Sequence, residues 1–87
     1  MQMPVITSFY GIIIRMNCGD HNPGHFHAEY KDWNASFSLD GEIMTGEMPG
    51  KQARQIKVWA ELHQDELEAL WKLAQREEPL FKVEPLK

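Results

Sequence analysis

The chain has 87 residues, of which 43% are hydrophobic and 25% charged, and a formal net charge of −4. That is enough for one small domain, 1–87, of ordinary globular composition, and the acidic balance argues against a general attraction for nucleic acid. The lone Cys18 excludes an intrachain disulfide and a cysteine-based zinc site, and the longest apolar run, Ile12-Ile13-Ile14, is far too short to cross a bilayer.

Residues 5–17 read as a strand carrying Val5, Ile6, Phe9, Tyr10 and the Ile12 to Ile14 run, with Gly11 as a bulge or a point of close backbone approach. Asn17 to Gly24 is a loop of turn-forming residues. His25 to Tyr30 alternates: Phe26, Ala28 and Tyr30 are expected on the core side, and His25, His27 and Glu29 on the other. Trp33 to Leu39 repeats the pattern, with Trp33, Ala35, Phe37 and Leu39 inward. Asp40-Gly41 then marks a two-residue hairpin into a strand from Glu42 to about Met48.

Pro49-Gly50 closes the strand region. Ala53, Ile56, Ala60, His63, Leu67, Leu70 and Ala74 keep one helical phase, which predicts a long helix ending near Arg76 to Glu78, ahead of Pro79. Asp65-x-x-Glu68 resembles a capping box that would instead restart a second helix after His63. A second apolar stripe, Val58, Leu62, Ala69 and Leu73, is more than a helix on a sheet needs. It predicts a protein partner or a homo-oligomer, or packing between two helices if the helix breaks. Leu80 to Leu86 is expected as a short extended tail. The expected fold is α+β: three or four mainly antiparallel strands, covered on their apolar face by a long C-terminal helix.

Three of the four histidines lie within His21-Asn22-Pro23-Gly24-His25-Phe26-His27. His25 and His27, roughly 6–7 Å apart along one strand face, can converge on one ion. His21 can fold back across the turn as a third ligand, and Asp20 can complete the shell of a divalent transition metal such as zinc. A metal-free alternative uses His25 and His27 as general base and acid on RNA, with Arg15 stabilising developing charge. A structural alternative has Asp20, His21 and Asn22 tie the loop through hydrogen bonds while His25 and His27 face solvent. His63, inside the apolar stripe, reads as a satisfied core histidine or the mark of a helix break, and Trp33, Trp59 and Trp71 read as core anchors.

Pro4, Ile6, Phe9, Gly11 and Ile12, then Asp20-His21-Asn22-Pro23, His25-Phe26-His27 and Glu29-Tyr30, form a distinctive set. Together with Trp59-Ala60-Glu61-Leu62-His63, Trp71 and Glu84-Pro85-Leu86, they make the chain resemble the bacterial domain of unknown function DUF4160. The resemblance implies a bacterial cytoplasmic origin, which agrees with the absence of a secretory signal at the N-terminus. It implies a small protein partner of the kind found in toxin–antitoxin pairs, and no established activity or catalytic residues. Where relatives carry a second proline this chain has Gly24, which predicts a looser loop. The expected function is a metal- or anion-binding module acting with a protein partner, and the alternative is a small metal-independent ribonuclease toxin.

Overall fold

The computed structural model describes residues 3–87. Five strands, β1 (Val5–Phe9), β2 (Ile12–Arg15), β3 (His25–Tyr30), β4 (Trp33–Ser38) and β5 (Ile43–Glu47), form one antiparallel sheet in chain order. Two helices follow, α1 (Gly50–Leu62) and α2 (Gln64–Gln75). Among the described residues, no helix is long and apolar enough to cross a membrane.

The sheet has one strand more than the three or four expected, because residues 5–17 are a hairpin rather than one strand. Tyr10 (φ 48°) and Gly11 (φ 80°) both adopt left-handed backbone, the pattern of a two-residue type I′ turn. The apolar residues on both sides of Gly11 conceal this turn in the sequence. The β4–β5 connection is also wider than two residues. Ser38 N–H donates to Glu42 O at 2.8 Å and Gly41 N–H donates to Ser38 O at 2.9 Å, leaving Leu39, Asp40 and Gly41 as a three-residue loop with Gly41 at φ 92°.

Alternation puts Ile12, Ile14, Phe26, Ala28, Ala35 and Phe37 on the covered face, all buried. Trp33 departs from expectation and is 44% exposed. It is the first residue of β4, paired with Tyr30 at the end of the sheet away from His25. On the helix side, Ile56, Trp59, Ala60, Leu67, Leu70, Trp71 and Ala74 are buried. Trp59 is the hub, its ring 5.8 Å from Phe9 and 5.6 Å from Phe26, while Phe26 stacks on Phe37.

The expected single helix is broken at His63, whose backbone (φ −124°, ψ 32°) leaves the helical region. His63 N–H donates to Ala60 O at 3.2 Å, one residue short of the α-helical partner, and Leu67 N–H donates back to His63 O at 2.9 Å. The reciprocal acid is Glu66, whose carboxylate lies 2.5 Å from His63 Nδ1, rather than Glu68. Only one residue leaves the helix, so the apolar stripe resumes in phase. The break does not bury the second stripe: Val58 and Leu62 are 47% and 67% exposed, and Ala69 is exposed too. α2 ends with Glu77 at φ 56° and Glu78 N–H on Leu73 O, a left-handed C-terminal cap ahead of Pro79. The tail then fastens along β1, with Val83 N–H donating to Ile6 O at 2.8 Å and Trp59 Nε1–H to Glu84 O at 2.9 Å.

Candidate functional site

The face of the sheet away from the helices is polar, and the strand register aligns its side chains in rows. Arg15, His27, Ser36 and Thr45 face one another across β2, β3, β4 and β5. Ser36 is buried in this row, its hydroxyl 2.5 Å from that of Thr45. His25 and His27 share this face, as alternation requires, with Phe26 and Ala28 buried on the other.

The loop between β2 and β3 brings Asp20 onto the histidines. Its Oδ2 lies 2.9 Å from His25 Nε2 and accepts from Asn17 Nδ2 at 3.2 Å, while Oδ1 accepts from His21 N–H at 2.9 Å. These contacts, the Asn17 bond first, then His21 N–H and His25, hold the Asp20 carboxyl well below its ordinary value, at about 2. Three contacts from α2 fix the loop. Gly19 N–H donates to Ala74 O at 2.8 Å, Trp71 Nε1–H donates to Asn22 Oδ1 at 3.0 Å, and the Trp71 ring lies 5.2 Å from that of His25. Gly24 permits this approach, because a Cβ there would lie 2.8 Å from Leu39 Cδ1 and 3.3 Å from Trp71 Cδ1. The loop is packed at Gly24, not loosened by it.

His25 is nearly enclosed, with 12% of its side chain exposed. Its Nδ1 lies 2.8 Å from Pro23 O, which can only accept, so Nδ1 carries a proton. Its Nε2 then points at a carboxylate, where a lone pair would be repelled. A donor or a cation at Nε2 removes that conflict. His27 shows the opposite shortage. Its ring centre is 5.4 Å from that of His25, and its Nε2 is buried with no hydrogen-bond partner. Burial first, and the neighbouring His25 second, push the His27 pKa down and favour the neutral ring. One ligand atom each from Asp20, His25 and His27 lie within 4.8 Å of one another.

The structure therefore brings together Asp20, His25 and His27 from the expected set and leaves two candidates outside. His21 has its side chain 91% exposed, with Nδ1 3.1 Å from Asp20 Oδ1, on the carboxylate oxygen away from His25. Its backbone N–H already caps that oxygen, which turns the ring outward. Arg15 stands opposite His27, but its guanidinium is engaged by Glu29 Oε1 at 3.2 Å and Met3 O at 3.1 Å. Two residues that sequence reasoning passed over belong to the site. Asn17 supports Asp20, and its position two after Arg15 on the same extended face is the signal that could have found it. Trp71 forms a wall of the site as well as part of the core, which helical phase alone cannot reveal.

The family model for the domain of unknown function DUF4160 matches residues 11–72 of the 87, from the first hairpin turn through Trp71. The chain belongs to the DUF4160 family. The matched span contains all of the loop and strand residues that build the site, and Trp71 with them. No curated protein and no solved structure matches this DUF4160 chain.

Proposed function

We propose that this DUF4160 protein is a metal-binding module in which Asp20, His25 and His27 hold one divalent transition ion such as zinc. The observation that carries this reading is the buried, unpartnered Nε2 of His27, whose ring is 5.4 Å from that of a histidine facing a carboxylate. One ion accepts the orphan lone pair and separates His25 Nε2 from Asp20 Oδ2. Donor atoms at 2.0–2.1 Å around a tetrahedral zinc lie about 3.4 Å apart, so atoms within 4.8 Å of one another reach a common ion by small ring rotations. Two imidazoles and a carboxylate also suit iron(II).

The test is a zinc titration of untagged protein, followed by calorimetry and thermal melting. One ion per chain should bind and raise the melting temperature, by about 2.7 kcal/mol of stability at a hundredfold excess over Kd. His25→Ala and His27→Ala should abolish both effects, and His21→Ala should leave them intact. An unchanged melting curve in the parent protein would overturn the proposal. The module is proposed to act with a small protein partner or a second copy over the exposed Val58 and Leu62 of α1. Leu62→Glu should release that partner without disturbing the metal.

One observation favours a second reading. His25 has both ring nitrogens facing acceptors, Pro23 O and Asp20 Oδ2, beside a His27 whose burial favours the neutral ring. That is an acid and a base at one site, the requirement for metal-free cleavage of RNA. RNA cleavage in the presence of chelator, with growth arrest relieved by His27→Ala, would establish this ribonuclease toxin in place of the metal module.

A further inference from the structure

Three buried side-chain atoms among the described residues lack a hydrogen-bond partner: His27 Nε2, Asn17 Oδ1 and Gln55 Oε1. Two of the three belong to the same loop-and-strand cluster. Asn17 continues β2 beyond Arg15. Met16 N–H still bonds Pro4 O at 3.3 Å and Met16 is fully buried, so alternation returns Asn17 to the face of Arg15 and His27. The antiparallel pairing ends with Arg15 against His27, and the same register continued by two residues would set Asn17 level with His25.

The orientation of the Asn17 amide follows from chemistry. Asp20 offers a carboxylate oxygen, an acceptor, so the Asn17 atom 3.2 Å from its Oδ2 is the donor, Nδ2. Oδ1 is thereby turned from Asp20 and left buried without a donor. Atoms of one amide are about 2.3 Å apart, which confines Asn17 Oδ1 to within about 5.5 Å of Asp20 Oδ2. A metal cation can satisfy an orphan oxygen and an orphan imidazole nitrogen together.

Resting on the metal reading above, we infer that Asn17 Oδ1 is a fourth protein ligand, completing a set of two imidazole nitrogens and two oxygens with Asp20, His25 and His27. Four protein donors close a four-coordinate zinc site. The ion then ties the 17–24 loop to β3 instead of offering an open position to a substrate, and the oxygen pair turns the site away from soft ions such as copper(I).

Two substitutions in the full chain separate ligation from support of Asp20. Asn17→Ala removes both the Nδ2 donor and the oxygen. Asn17→Asp removes the donor but keeps an oxygen and makes it a stronger ligand. Zinc affinity is measured by competition with a chromophoric chelator, after circular dichroism confirms that each metal-free variant is folded. Asn17→Ala should weaken zinc binding by about 10–100-fold, the range for disturbing a group that serves a metal site, while Asn17→Asp should bind at least as tightly as the parent. If Asn17→Asp weakens binding as much as Asn17→Ala, Asn17 only supports Asp20, and the fourth ligand is overturned while the three-residue site stands. Unchanged affinity in Asn17→Ala overturns it equally. Failure of the parent protein to bind zinc overturns the metal reading and this inference with it.

Discussion

At the scale of single residues, the three clustered histidines have been given three different environments. His21 is in solvent, His25 is held between Pro23 O and Asp20, and His27 is buried with a bare nitrogen. The sequence shows the cluster, and alternation along β3 shows that His25 and His27 share a face. It does not show that the His21 backbone would occupy Asp20 Oδ1, because that depends on how the loop turns in space. Nor does spacing reveal that Arg15 would be claimed by Glu29. The two shifted groups predict the acid response of the metal-free protein. The His27 pKa is lowered from 6.5, so the unfolded chain binds its proton more readily, and the stability linked to it is full above about pH 6.5 and lost as pH falls. The Asp20 contribution is full above 3.8 and lost as pH falls through about 2. With chelator present, urea unfolding should therefore show stability declining from pH 7 toward pH 5, and His27→Gln should flatten that decline while leaving the Asp20 limb in place.

Among the elements, the α+β class and the two-faced sheet were legible, since Phe26, Ala28, Ala35 and Phe37 alternate with polar residues. Strand number and helix continuity were not. Tyr10-Gly11 has no polar turn residue to announce it, and its two left-handed conformations emerge only when β1 and β2 pair. The His63 break keeps the helical phase, so periodicity is blind to it; the neighbouring Asp65-x-x-Glu68 pattern hinted at a restart with the wrong acid. β5 supplies the clearest element-scale prediction. Gly46, at φ 85°, packs so that a Cβ would fall 2.5 Å from Asn34 O and 2.8 Å from Ala35 Cα. Both are backbone atoms of β4 and cannot swing aside. Gly46→Ala should cost about 1–3 kcal/mol, read as a lowered urea midpoint at unchanged slope. Gly24→Ala should cost less, because its nearest neighbour is the end of the Leu39 side chain.

Taken whole, the molecule is two layers whose seam runs through Trp59, which meets Phe9 and Phe26 of the sheet and the carbonyl of Glu84 in the tail. The site lies at the sheet's open face, yet it is anchored to the opposite layer. α2 grips the 17–24 loop through Ala74 O and through Trp71, which holds Asn22 with its indole N–H and lies against the His25 ring. An ion held by Asp20, His25 and His27 would thus sit beside the His25 ring, whose centre is 5.2 Å from that of Trp71, while Trp33 stands at the far end of the sheet. The protein carries its own optical probe. Cobalt(II), whose unfilled d shell drains excited-state energy at short range, should dim the intrinsic emission of the parent and dim that of Trp71→Phe much less. Equal dimming in the two would place the ion elsewhere on the surface.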